Sequence, residues 1–187
     1  MVVVPIVFKG QEEVILKYCR EVAGRLAGLR VKVDDREGVT PGEKFYYWEK
    51  MGVPVRLEIG PREVAENIVV VFRRDTLEKK QVSAADIQSY VVALLREVDR
   101  NISEKSWKTL RQMIVDARSI EEVKKAISER LIARINWCGS EECAKQLKEA
   151  AGGELRGSRF DEAEAPFDGC VVCQRPSRDV VYCARAY

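Results

Sequence analysis

Four cysteines in two pairs constrain this chain more than any other feature. Cys138-Gly139-Ser140-Glu141-Glu142-Cys143 and Cys170-Val171-Val172-Cys173 stand 26 residues apart, and the 187-residue sequence contains no histidine. Two turns that each deliver two thiolates are how a closed, tetrahedral, all-cysteine zinc site is built. Gly139 and Gly169 flank the pairs and leave the backbone room to bend around an ion. Four protein ligands leave no open position, so such a zinc is structural. In an 80-residue region with few large apolar side chains, it would decide whether the region folds. A redox Cys-X-X-Cys is the competing reading, but no thioredoxin-like strand-to-helix pattern surrounds Cys170. The remaining two cysteines, Cys19 and Cys183, read as small core residues.

The missing histidine excludes whole chemistries. No Ser-His-Asp or Cys-His nucleophile pair and no imidazole switch can be built. No Gly-x-Gly and no Gly-Lys occurs, so the phosphate-cradling loops of dinucleotide and nucleotide binders are missing from the sequence too. Asp34-Asp35 is the one acidic pair in a loop and reads as a turn or cap. Nothing here resembles an active site.

Net charge is +2, with residues 1–137 at +4 and residues 138–187 at −2. Dedicated DNA-binding domains are far more basic. The longest apolar runs, Met1–Phe8 and Ile68–Phe72, fall well short of the roughly 20 residues that span a bilayer, and the N-terminus lacks the pattern of a secretory leader. A reducing, cytoplasmic setting is the expectation.

Periodicity predicts strands at 2–8, 30–33, 54–59, 67–72 and 80–82. Helices are expected from Glu12, ended by Gly28, over 43–51, and from an N-cap at Ser83 through Ile87, Val91, Leu94, Leu95, Val98 and Ile102. Gly60-Pro61-Arg62 reads as a turn, and 54–59 as a strand with one buried face. Strands mixed with crossover helices over roughly 100 residues indicate an α/β sandwich on a mixed sheet. Composition then shifts, placing a domain boundary between about residues 103 and 118. Beyond it come helix through Ala117, a helix opened by Ser119, a strand over 131–137, a helix over 140–150, strands over 154–160 and 178–183, and an acidic loop over 161–169.

The stretch Asp34–Arg62 sets Arg36, Lys44, Lys50, Arg56 and Arg62 among Phe45, Tyr46, Tyr47 and Trp48, with Asp35 and Glu49 interleaved. Planar aromatics stack on splayed bases, arginine forks pair with guanine edges or phosphates, and carboxylates accept from guanine donors. The same composition also suits a helix whose aromatics are core and whose charges form a solvated rim.

At these residues the chain resembles the C-terminal part of prolyl-tRNA synthetase of the archaeal and eukaryotic type. The likeness runs through Pro5–Gly10, Asp34-Asp35-Arg36, Thr40–Phe45, Trp48-Glu49, Gly52-Val53-Pro54, Arg56–Arg62, Arg73-Arg74-Asp75-Thr76, the four cysteines and Ala184-Arg185-Ala186-Tyr187. It implies a class II synthetase anticodon-binding domain over residues 1–105, in three layers with helices on a roughly five-stranded mixed sheet. A small α+β zinc-binding domain over 106–187 would follow. The implied zinc ligands are Cys138, Cys143, Cys170 and Cys173. The implied anticodon contacts are Asp35, Arg36, Lys44, Phe45, Trp48, Glu49, Arg56 and Arg62, reading the two guanines of tRNA(Pro). Tyr187 would extend toward the class II catalytic domain, which binds ATP and is expected outside this chain, leaving the chain inactive alone. No DNA or membrane partner is implied. A stand-alone RNA- or protein-interaction module of the same fold is the alternative.

Overall fold

The computed structural model describes residues 1–8 and 10–186. Its contacts divide the chain into two compact units, Met1–Glu104 and Lys105–Tyr187.

The first unit is built on β1 (Val2–Pro5), α1 (Glu12–Arg25), β2 (Lys32–Val33), α2 (Pro41–Lys50), β3 (Val55–Ile59), α3 (Pro61–Glu66), β4 (Ile68–Arg73), β5 (Lys79–Ser83) and α4 (Ile87–Met113), which continues past Glu104. The sheet order is β2-β1-β3-β4-β5. The first three strands are parallel, and β4 and β5 are antiparallel additions. Val3, Leu57 and Val71 lie in register on one face. There they meet Ile15, Cys19 and Val22 of α1 and Ile87, Val91, Leu94 and Val98 of α4. Each such aliphatic side chain taken from water contributes about 1.5–3 kcal/mol, so this face is the unit's main source of stability. The opposite face carries Arg56 and Phe72 in register, and Phe45 of α2 covers them. Helices on both faces of a mixed sheet give the three-layer α/β architecture.

Several boundaries depart from the sequence reading. Helix α2 begins at Pro41, two residues ahead of the expected Glu43. The Thr40 hydroxyl accepts from the Glu43 N–H while the Glu43 carboxylate accepts from the Thr40 N–H at 2.8 Å, a capping box that starts the helix as soon as Pro41 allows. The expected turn at Gly60-Pro61-Arg62 is the start of α3, because the Glu63 carboxylate accepts from the Gly60 N–H at 2.9 Å and Pro61 stands at N1. Strand β3 is buried on both faces, since α2 roofs the side where Arg56 and Glu58 point. Ser83 belongs to β5, not to a helix cap. A turn separates it from α4, and its hydroxyl accepts from the Ala85 N–H. The helix expected through Ala117 stops at Met113, and Ile102 on it is exposed.

The second unit comprises β6 (Ile114–Asp116), α5 (Ile120–Ser128), β7 (Ile132–Trp137), α6 (Glu141–Ala151), β8 (Glu154–Gly157) and β9 (Asp179–Ala184). Strand β6, absent from the sequence reading, pairs parallel with β7. The order β6-β7-β9-β8 is otherwise antiparallel. Its core joins Val123 and Ile127 of α5 and Leu147 of α6 to Ile135 and Val181. A Cβ on Gly153 would lie 2.7 Å from the Cys183 Sγ and 2.9 Å from Ile127, so any side chain at the turn from α6 into β8 must displace one of them. The acidic loop is strapped down. Phe167 donates its N–H to the buried Asn136 Oδ1 at 3.0 Å, and Tyr182 donates its hydroxyl to Glu164 at 2.7 Å. Among the described residues, no helix is long and apolar enough to cross a membrane.

Candidate metal centre and nucleic-acid interface

Strand β7 ends beside the first cysteine pair. Gly139, at φ +87°, reverses the chain after Cys138, Ser140 precedes α6, and Cys143 lies in that helix's first turn. The second pair sits on a tight knuckle. Gln174 donates its N–H to the Cys170 carbonyl and Cys170 donates its own to the Arg175 carbonyl, both at 2.9 Å. Gln174 is left-handed at φ 59°, and a Cβ on Gly169 would approach the Gln174 carbonyl to 2.9 Å. The knuckle is tied to the sheet by the Val171 N–H donating to the Asn136 carbonyl at 3.0 Å.

The four sulfurs lie within 4.8 Å of one another. Cys138 and Cys143 are 3.7 Å apart, and Cys138 and Cys173 are 3.8 Å apart. A disulfide requires about 2.05 Å. A tetrahedron with metal–sulfur bonds of about 2.3 Å places its sulfurs about 3.8 Å apart, which matches these two distances. The set can hold a metal ion, and its all-thiolate donors suit a soft or borderline cation. Arg175 donates its Nε–H to the Cys173 sulfur at 3.4 Å and holds that thiol down to about 6. Cys19 and Cys183 are fully buried away from this cluster, and burial pushes their thiols up to about 12 and about 11. Neither is a nucleophile at neutral pH.

In the first unit the arginine–aromatic stretch folds into two linked clusters. In one, the Arg56 guanidinium lies 4.0 Å from the Phe45 ring centre and 4.1 Å from that of Phe72. Its Nε and Nη2 donate to Glu58, and its Nη1 donates to Glu49 at 2.7 Å. Lys79 completes the set by donating to the other Glu58 oxygen at 2.7 Å. Arg56 and Glu58 are buried, while the Glu49 side chain is 41% exposed.

Asp34 organises the second cluster. Its N–H donates to the Val3 carbonyl at 2.9 Å, extending the sheet's edge by one residue. Arg36 donates two bonds to its carboxylate, at 2.8 and 2.7 Å, and the Trp48 indole donates a third at 2.7 Å. Lys44, itself buried, donates to the Asp34 carbonyl at 3.0 Å. Burial alone would raise the Asp34 carboxyl, but the bonds from Arg36 and Trp48 outweigh it and hold the group down to about 2. The Arg36 guanidinium lies 4.4 Å from the Tyr47 ring centre, and the Lys32 ammonium lies 5.5 Å from that of Trp48.

The two tyrosines of α2 are therefore not core. Tyr46 and Tyr47 are exposed, and Phe45 and Trp48 are half-buried. Of the residues named from sequence, the structure brings together Arg36, Lys44 and Trp48 around Asp34, and Phe45, Glu49 and Arg56 around Glu58. Lys44 and Arg56 are the inward-facing members of these sets. Asp35 is exposed and pairs with Arg20 at 3.9 Å, and Arg62 is exposed and pairs with Glu66 at 2.9 Å. Tyr187 lies outside the described residues. Sequence pattern does not mark Asp34 and Glu58 as site residues, and the one signal for them is an acid directly after or within a strand with arginine two positions away. The Arg73-Asp75 motif is a hairpin clamp: Arg73 donates two bonds to Asp75 and another to Glu97.

Among known proteins, residues 1–94 match the family model described as anticodon binding domain, and residues 120–187 match that described as prolyl-tRNA synthetase, C-terminal. A proline–tRNA ligase of Pyrobaculum neutrophilum is 43% identical over 170 residues, covering 89% of this chain and 35% of the relative. Those of Thermofilum pendens and Methanococcoides burtonii are 40% and 37% identical over the whole of this chain, covering 40% and 39% of their own lengths. The chain thus spans well under half the length of the curated relatives it matches.

Proposed function

Given that this chain belongs to the prolyl-tRNA synthetase family, as an anticodon-binding domain followed by that family's C-terminal domain, we propose that it reads the anticodon of tRNA(Pro). In this reading it serves prolyl-tRNA aminoacylation in the cytoplasm, joined to a class II catalytic domain. The observation that carries the reading is the open arginine–aromatic surface on the domain that matches the anticodon-binding model. Tyr46 and Tyr47 stand exposed, Arg36 lies against the Tyr47 ring, and the Glu49 carboxylate is oriented by Arg56.

The chemistry divides among these residues. Tyr46, Tyr47 and the exposed edges of Phe45 and Trp48 offer stacking faces to unstacked bases, which is how single-stranded RNA is usually gripped. Glu49 spends one oxygen on Arg56 and stands partly open, suited to accept from the imino and amino donors of guanine. Arg36 and Arg62, each with part of its guanidinium held by an acid, present their remaining N–H groups to base acceptors or phosphates. Arg56, Lys44 and the buried acids do not reach outward; they hold the readers in place. Asp35 lies at the rim of this surface. Tyr187 is assigned to contact with the catalytic domain.

Cys138, Cys143, Cys170 and Cys173 would hold one Zn2+, whose contribution when bound is structural: it closes the C-terminal unit. Arg175 offsets part of the negative charge that four thiolates bring.

A filter-binding titration against a tRNA(Pro) transcript tests the main reading. Binding is expected to weaken with salt and to fall at least about tenfold when the anticodon guanines are replaced. Equal affinity for the altered transcript or for unrelated tRNAs would overturn it.

A further inference from the structure

We infer that Asp34 is a positioning residue for RNA recognition: it fixes Arg36 and Trp48 in one rigid unit and leaves the remaining N–H groups of Arg36 to meet an acceptor on the anticodon loop. The inference deepens the anticodon-reading proposal and rests on it.

Asp34 is used completely. It is 1% exposed, so it cannot touch RNA itself. Yet its carboxylate accepts from three side-chain donors on two residues, and its carbonyl accepts from a third residue, Lys44. Its backbone is anchored to Val3 of the central strands, which makes it a fixed point. A buried carboxylate with no donors would be costly, and here its donors are the side chains of exposed Arg36 and half-buried Trp48. The Arg36 side chain is 42% exposed. Asp34 takes one N–H each of its Nε and Nη2, which leaves both Nη1 hydrogens and the second Nη2 hydrogen for a ligand. Tyr47 beneath the guanidinium plane fixes its tilt.

An arginine free in solution loses considerable rotamer freedom on binding. One already held by a carboxylate fork and an aromatic face has lost it in advance, so more of each new hydrogen bond appears as affinity. Trp48 is locked by the same carboxylate, so stacking face and cationic donor keep a constant separation. The ligand chemistry is a hydrogen-bond acceptor on a single-stranded nucleotide, either a guanine edge or a phosphate oxygen.

The test is a double-mutant cycle on the full chain, with Asp34→Asn, Arg36→Ala and the pair. Binding would be titrated against the tRNA(Pro) transcript and against its guanine-replaced form, at a temperature where circular dichroism shows each variant folded. Asn presents an N–H where an acceptor is required, so Asp34→Asn is expected to weaken cognate binding about tenfold, and the double variant to lose less than the two single losses combined. If the loss falls on the guanine-bearing transcript and the salt slope is unchanged, the acceptor is a base edge. If the loss is uniform and the slope falls by about one, it is a phosphate. Either pattern supports the inference. Wild-type affinity in Asp34→Asn, or effects of the two substitutions that simply add, overturns it and leaves anticodon reading intact. Failure of the wild-type chain to tell the two transcripts apart overturns the anticodon reading itself. Should Asp34→Asn fail to fold, Arg36→Ala and Trp48→Phe take its place, because their effects must couple through the shared carboxylate, and additivity there counts against the inference.

Discussion

The two units solve the same problem with different materials. Met1–Glu104 buries Val, Ile and Leu from two long helices against a five-stranded sheet, and the apolar contact suffices to hold it. Lys105–Tyr187 has a thinner core in which Ala117, Ala126, Ala133 and Ala151 stand among the buried positions, and it carries a long loop without regular structure before its last strand. Its four thiolates lie where that loop returns to the sheet. The difference teaches that the metal-competent cluster belongs to the unit whose apolar surface is least able to fold it. The polar clusters of the first unit can instead be given over to recognition.

The strongest way to break this contrast is to remove one thiolate. Cys170→Ser, or chelation of the metal, is expected to unfold the second unit, because a structural zinc is worth about 10–16 kcal/mol and a typical domain has only about 5–15 to lose. Elemental analysis of the wild-type chain should return one zinc per molecule. Circular dichroism should retain the first unit's helical signal after chelation, and a single cooperative loss of all of it would contradict the contrast.

Next in size is Arg56→Met. It strips the buried Glu58 of its guanidinium partner but leaves it Lys79, and should cost the first unit about 2–3 kcal/mol, while melting of the second unit is unmoved. Calorimetry resolving the two transitions reads this directly.

Acid titration of the first unit is expected to be milder. The folded-state pKa of Asp34 is depressed to about 2, so the carboxylate's contribution is fully present above about pH 4 and is lost as pH falls from there toward 2. It amounts to about 2 kcal/mol. In Asp34→Asn that segment of the acid-unfolding profile should flatten.

The smallest effect belongs to Gly153→Ala, where the new methyl must displace Cys183 or Ile127 at a cost of about 1–2 kcal/mol. It should lower the second unit's melting temperature only. An unchanged midpoint would mean the α6–β8 turn is looser than its contacts indicate.

Much of this organisation was legible before the fold was known. The apolar face of α1, with Ile15, Cys19, Val22 and Leu26, is buried as its spacing predicts. Ser119 caps α5, its hydroxyl accepting from the Glu122 N–H. What escaped had physical reasons. Alternation over 54–59 marks Arg56 and Glu58 as a solvent face, because periodicity records polarity and cannot know that Phe45 and Phe72 will sandwich the guanidinium. Ile114-Val115-Asp116 follows a long helix without a breaker, and it becomes a strand only because β7 lies alongside to pair with it. The aromatic helix admits two readings from composition, and the exposure of Tyr46 and Tyr47 weighs against counting those two rings as core.

The sequence by itself determined that no imidazole chemistry is available, that four thiolates come as two pairs, and that an α/β region precedes a cysteine-bearing one, since these follow from residue identity and spacing. Tertiary structure decided which charges face inward. Asp34 and Asp35 are chemically identical neighbours, yet one is buried under Arg36 and Trp48 and the other lies open to solvent. That choice depends on where α2 lands on the sheet, a long-range packing outcome that no local pattern encodes.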